Sequence, residues 1–442
     1  MTQPARYGKQ LTRLASDYGM VLVLLFLATV CSALTYKEQH PRGADAGYQV
    51  ARQIAKHLGA DASVLIVTTK TDEDRAFAAA AEEELRERGL QVLANVGGAP
   101  SDARLAIEQA LAAGAAIDAI AANNVTARWT VYDQFPTVGS DKCFVPASYY
   151  WPDFLKTSNL LNIANQSSIY AIIAIGMTMV IITSGIDLSV GSLIALASVV
   201  AALFVRDFGG GAEASVGIVV VGCLAGIVCG AGTGAFHGLM VTRYRVPAFI
   251  VTLSMMMMAR GAALRISNGQ SINALPDSFG WLGEKETLGI PNPVLLMALL
   301  YLVAHVVMSR TVFGRYVYAI GGNEEAARLS GVPVKRMLLA VYTLCGALAG
   351  LGGIVLSSRL KAGDPNFGYS YELEVISAVV VGGTSIMGGQ GRMFGTLIGA
   401  FIIAVIKNGM NLTNVNPFNQ MIVLGAVLLA SVLIDTRKKR DQ

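Results

Sequence analysis

From about Asn159 to the C-terminus the sequence is a succession of apolar runs separated by short polar breaks. A hydrocarbon core of about 30 Å takes roughly 20 helical residues to cross. Within that core only structures that satisfy their own backbone hydrogen bonds persist. The runs read as 165–184, 187–205, 215–241, 246–266, 293–309, 338–358, 373–389, 393–411 and 419–435, and an earlier run at Tyr18–Leu34 brings the total to about ten. Only 14% of the 442 residues are charged, against about 25% in a soluble chain. The fold class expected is an α-helical polytopic membrane protein.

Positive charge gives the orientation. Arg6, Lys9 and Arg13 precede the first run with no acid among them, which places residues 1–35 as a cytoplasmic N-terminus and one span. A cleaved signal peptide is the alternative, since "CSA" at 31–33 resembles a cleavage site. Counting spans forward, Arg243 and Arg245 fall in one inner loop, and Arg310, Arg315, Arg328, Lys335 and Arg336 in another. An even count ends inside, where the basic tail "DTRKKRDQ" belongs. The loops 206–214, 267–292 and 359–371 then lie outside. Two boundaries are soft: the 184–187 break is too short for an ordinary loop, and "VVVGGTSIMGGQGR" (379–392) has the composition of a broken or re-entrant helix.

Residues 36–150 differ in kind. They hold 11 Lys/Arg and 15 Asp/Glu, or 26 of the 64 charges in the chain. Helical periodicity at Ala46–Leu58, Asp72–Arg88 and Ser101–Ala113 alternates with apolar strands at 63–69, 90–96 and 117–123. That alternation predicts an α/β unit with a parallel sheet, inserted on the extracytoplasmic side. The remainder, 151–442, is then the transmembrane domain, with about nine helices.

Several stretches carry candidate function. In "TSGIDLSVGS" (183–192), Thr183, Ser184, Asp187, Ser189 and Ser192 interrupt two apolar runs. An acid at a span faces the bundle interior or water. Two readings stand together: a helix break lining a translocation pathway, and a capping cluster for the helix that follows. The glycine-rich stretches 226–238, 346–353 and 380–391 put small residues at helical spacing, which lets backbones approach closely. His237, inside one of them, reads as a buried group in preference to a proton relay. "SMMMMAR" (254–260), with Met256 near its centre, is an apolar face suited to core packing or to a deformable path. The pathway candidates are Thr183, Ser184, Asp187, Ser189, His237 and Met256. Lys407, Asn408, Glu372 and Glu374 read as residues snorkelling to the interface.

The sequence shows no G-x-x-x-x-G-K-[ST] phosphate loop, and no H-E-x-x-H, C-x-x-C or G-x-S-x-G. Covalent catalysis, a metal centre, a cofactor and nucleotide hydrolysis by this chain are not expected. No acidic relay is evident deep in the apolar runs, which disfavours a proton-coupled secondary transporter.

"GGNEEAARLSGVPVKR" (321–336) is a compact helix with its own punctuation, in a predicted inner loop. Asn323 suits the N-cap, Glu324 and Glu325 the positive first turn, and Gly331 a left-handed C′ position, with Pro333 beyond. Ala326, Ala327, Arg328, Leu329 and Ser330 fill the turns between. A helix this short is marginal alone in water. It is either a surface turn packed on its own protein or a knob seated in a partner.

These stretches, with "VPAFIVTLSMMMMARG" and "NGMNLTNVNPFNQMIVLGAVLL", resemble in order the permease subunit of sugar ATP-binding-cassette importers of the ribose/galactose/xylose/autoinducer type. The resemblance covers about 155–437 and the first span. It implies two permeases, identical or paralogous, embedded in lipid above two ATPase subunits and fed by a soluble periplasmic sugar-binding protein. It implies a coupling helix at Glu324–Ser330, ending at Gly331, and a break at Gly185–Ser192, in the bacterial cytoplasmic membrane and with no role in nucleic-acid binding. His237 departs from the amide expected at its position. A branched-chain amino-acid permease is the nearest alternative. Residues 36–150 are similar to one lobe of a periplasmic sugar-binding protein, a further departure. One lobe cannot close on a ligand by hinge motion, so docking or pairing ranks above substrate binding. Tight saccharide binding by a 36–150 fragment in calorimetry would reverse that ranking.

Overall fold

The computed structural model describes residues 4–59 and 61–440, and the side chains among them apart from 4–18, 434–435 and 437–440. The inner charges read at Arg6, Lys9 and Arg13, and those in the basic tail, lie outside the described side chains. The chain divides into two compact units, Tyr36–Pro152 and the remainder.

The first helix, α1 (Pro4–Leu34), belongs to the larger unit. The smaller unit begins with β1 (Tyr36–Gln39), then runs α2 (Gly43–Leu58), β2 (Ser63–Thr68), α3 (Asp72–Glu87), β3 (Gln91–Gly97), α4 (Pro100–Ala112), β4 (Ala119–Ala122), β5 (Cys143–Phe144) and β6 (Tyr149–Pro152). Its sheet has the order β3-β2-β4-β5, all parallel, and β1 pairs antiparallel with β6. Successive strand residues point to opposite faces, and β2 shows the result. Val64 and Ile66 pack with Val50, Ile54, Phe77 and Leu85 of α2 and α3, while Leu65 and Val67 pack with Ala103, Ile107 and Tyr132 on the other face. The buried Glu84 receives Arg52 at 3.0 Å and Arg88 at 2.8 Å, and these guanidiniums hold its carboxyl below the ordinary value.

The larger unit continues with α5 (Thr157–Ile182), α6 (Val190–Gly209), α7 (Val216–Tyr244), α8 (Ala248–Ile266), α9 (Asn292–Arg310), α10 (Val312–Gly322), α11 (Glu324–Leu329), α12 (Val334–Leu360), α13 (Tyr371–Val381), α14 (Met393–Leu412) and α15 (Pro417–Arg440). Among the described residues seven helices are long and apolar enough to cross a membrane: α5, α6, α7, α8, α9, α12 and α14. Gly19–Leu34 within α1 and Pro417–Leu433 within α15 are shorter apolar stretches.

Two of the glycine stretches, 226–238 and 346–353, serve close packing of α7 on α12. A Cβ on Gly346 would lie 2.9 Å from the Gly234 nitrogen, and one on Gly230 would lie 3.1 Å from the Gly350 Cα. The backbones meet because nothing projects between them.

Two expectations need correction. The span read at 373–389 is helical only to Val381, the break falling in the 379–392 stretch whose boundary is soft in the sequence. Gly383 turns left-handed at φ 89°, and Gly382 is wedged against the backbone of Gly395 and Thr396. Lys407, Asn408 and Glu374 do not snorkel. Lys407 Nζ holds both Glu374 carboxylate oxygens at 2.8 and 2.9 Å, and Asn408 exchanges amide hydrogen bonds with Asn159 at 2.8 and 3.1 Å. Helix α10, in a stretch read only as loop, was missed because glycines and aromatics obscure its period.

Candidate functional site

The break between α5 and α6 runs from Thr183 to Ser189, enclosed by α7, α8 and α12. Helix α5 ends with Thr183 bonded back to the Val180 carbonyl at 2.8 Å, and Ser184 takes a left-handed φ of 61°. The chain then turns inward. Asp187 is fully buried, and its Oδ1 accepts the Ser189 backbone N–H at 2.9 Å and the Ser189 hydroxyl at 2.6 Å. Helix α6 starts at Val190 without a side-chain bond from its N-cap Ser189. The carboxylate therefore organises the turn before the helix and does not cap the helix itself.

The other carboxylate oxygen, Oδ2, faces His237 of α7, whose Nδ1 is 3.6 Å away. Both side chains have no solvent exposure. Among the described residues Oδ2 and both ring nitrogens of His237 have no hydrogen-bond partner. Tyr342 of α12 meets the imidazole edge-on, with ring centroids 6.4 Å apart, and its hydroxyl abuts Gly185. On the α8 side Thr252 donates to the Ile186 carbonyl at 3.1 Å. The result is a polar knot inside an apolar bundle, tying the non-helical segment to three helices.

Of the residues read from sequence, Asp187, Ser189 and His237 come together here, with Thr183 buried at the segment's start. Ser184 is exposed and points elsewhere, donating to the Met387 carbonyl at 3.0 Å. Met256 does not join them. It is half-buried, and its neighbours Met257 and Met258 are 71% and 53% exposed, so this face of α8 points out of the chain's own core. Sequence reading missed Thr252 and Tyr342. It also passed over Arg260, an arginine within an apolar run, which donates to the Pro365 and Phe367 carbonyls at 2.5 and 2.9 Å. Among the described residues no cluster of three or more His, Cys, Asp or Glu is placed to hold a metal.

The second element is α11. Asn323 accepts the Ala326 N–H at 2.9 Å, and Gly331 stands at φ 83° just past the C-cap Ser330. Ala327 is the buried anchor, and the Val332 N–H returns to its carbonyl at 3.0 Å. Everything else faces out: Glu324, Glu325, Ala326, Arg328, Ser330 and Gly331 are exposed, and Leu329 is 76% exposed. Arg328 pairs with Glu325 and holds its carboxyl below the ordinary value. The helix therefore presents an acidic first turn and, on its last turn, an exposed leucine.

Residues 159–432 match the family described as branched-chain amino acid transport system / permease component. The chain belongs to that family. It is 47% identical over 292 residues to the ribose import permease protein RbsC of Escherichia coli (strain K12), covering 65% of this chain and 88% of that protein. It is 44% identical to RbsC of Bacillus subtilis (strain 168) over 289 residues, covering 65% and 87%. Identity to the xylose transport system permease protein XylH of E. coli (strain K12) is 37% over 348 residues, covering 65% and 87%. No solved structure matches the chain. The bundle is thus a permease component of a multi-span membrane transporter, and the family match begins past the smaller unit.

Proposed function

We propose that this chain is the transmembrane permease subunit of an ATP-binding-cassette importer, carrying a monosaccharide of the ribose/galactose/xylose class into the cytoplasm. The observation that carries the substrate class is identity of 37–47% to ribose and xylose permeases over nearly nine-tenths of their length. Energy comes from a separate ATPase subunit, since this chain has no phosphate loop, and α11 is where that subunit docks. Its ATP-driven movement reaches the bundle through α11, and the pathway opens in turn to the two sides. Two copies, or one copy and a paralogue, make the dimer, with lipid around it and a soluble sugar-binding protein on the far side.

The chain crosses the bacterial cytoplasmic membrane ten times, by α1, α5 to α9, α12, α13 with the segment after it, α14 and α15. The short α13 counts because of where its neighbours meet. Helix α14 begins near Gly382 and ends where Asn408 bonds Asn159 at the start of α5, while the segment after α13 bonds Ile182 at the opposite end of α5. Eleven residues cover about 16 Å, half a hydrocarbon core. The glycine-rich segment completes the crossing, its backbone satisfied within the protein. The Tyr36–Pro152 unit lies on the extracytoplasmic side as a docking or pairing surface.

The test is affinity purification from native membranes followed by reconstitution. A co-purifying ATPase with a phosphate loop, and ATP-dependent uptake of ribose or xylose in preference to leucine, is the expected result. Leucine uptake would restore the amino-acid alternative, and uptake without an ATPase would overturn the reading.

A further inference from the structure

Helix α10 joins α11 through the single residue Asn323, and its last turn is set into the bundle. Gly321, on that turn, lies at once against the end of α5, where the 183–189 break begins, and against the non-helical 382–392 segment. A Cβ there would run into the Ile182 carbonyl at the end of α5 and lie 2.6 Å from the Gly389 nitrogen. Gly389 itself donates to that same Ile182 carbonyl at 2.8 Å. Gly388 and Gly389 hold left-handed φ of 88° and 72°, and a Cβ on either would approach the Gly321 carbonyl to 3.0–3.1 Å. Two side chains fasten the same junction. Tyr318, one turn back on α10, donates to the Gly391 carbonyl at 2.8 Å, and Ser184 donates to the Met387 carbonyl at 3.0 Å.

Three backbones therefore meet without intervening side chains: the end of α10, the start of the 183–189 break, and the 382–392 segment. Packed interfaces of this kind shift between discrete arrangements and do not deform smoothly. Alanine is a better helix former than glycine, so helix propensity gives no reason for glycine at 321. The close approach does. The adjacent Gly322 is the natural contrast, because a Cβ there meets nothing within 4 Å.

We propose that Gly321 is a positioning residue for coupled transport, the joint through which displacement of α11 moves both non-helical segments of the translocation pathway together. The inference rests on the reading of α11 as the ATPase contact. A side chain at 321 would separate the three backbones and leave hydrolysis running without transport.

The experiment reconstitutes the permease with its ATPase and binding protein in proteoliposomes, and reads labelled ribose and xylose uptake and ATP hydrolysis in parallel. For Gly321→Ala the ATPase is retained and hydrolysis is unchanged, while sugar moved per ATP falls by about tenfold or more. For Gly322→Ala both rates stay within about twofold of the parent. Tyr318→Phe removes one hydroxyl and adds no bulk, and it lowers the ratio by about two- to tenfold; this variant carries the test if Gly321→Ala does not insert. A parental ratio in Gly321→Ala, an equal loss in Gly322→Ala, or an unchanged ratio in Tyr318→Phe overturns the joint while leaving the coupling reading intact. Failure of the parent chain to retain any ATPase overturns both.

Discussion

The two non-helical segments of the bundle solve one problem by opposite means. Between α5 and α6, the chain from Thr183 to Ser189 is held by side chains: Asp187 organises the turn, His237 and Tyr342 close over it, and Thr252 takes a carbonyl. Between α13 and α14, residues 382–392 are held chiefly by backbone, with glycines in close approach to α5, α10 and α14 and hydroxyls of Ser184 and Tyr318 on its carbonyls. Removing a group should therefore damage the first segment, and adding one should damage the second. A segment pinned by buried side chains moves with the helices that hold it. A segment laid against neighbouring backbone can slide when they do.

The contrast is broken most severely at Asp187. Asp187→Ala leaves the buried Ser189 N–H and hydroxyl without their acceptor and is expected to cost about 2–5 kcal/mol. Denaturant unfolding of the detergent-solubilised protein measures it, and a loss below 1 kcal/mol on that scale would mean the knot is not what holds the break. Gly389→Ala works the other way, adding a methyl at a left-handed position already in tight contact. It should cost about 1–3 kcal/mol in the same assay, and a neutral result would show that the segment has room to spare. Ser184→Ala removes a side-chain hydrogen bond that joins the two segments. The expected loss is about 0.5–1.5 kcal/mol, the smallest of the set, and a loss as large as that of Asp187→Ala would merge the two segments into one network.

Local chemistry was legible in the sequence, and pairing across the chain was not. The caps of α11 could be read because Asn323, Gly331 and Pro333 act within a few residues of the helix they bound. The break was marked by hydroxyls and an acid interrupting apolar runs. That Asp187 would face His237, fifty positions away, has no local signature, and neither does the pairing of Lys407 with Glu374. Which way the methionine run faces had no local signature, because such a run looks alike on either face of a helix, and only the packing of α8 shows that much of it is turned out. Arg260 carried a usable signal, since an arginine inside a span requires a partner.

The central claim is that another protein's work enters this chain through α11. Glu325→Arg combined with Gly331→Pro tests it most directly, reversing the charge of the first turn and placing a residue of fixed negative φ where 83° is required. With membrane abundance unchanged, the account predicts loss of both ATPase co-purification and sugar uptake. Uptake at the parental rate in that double variant would contradict it.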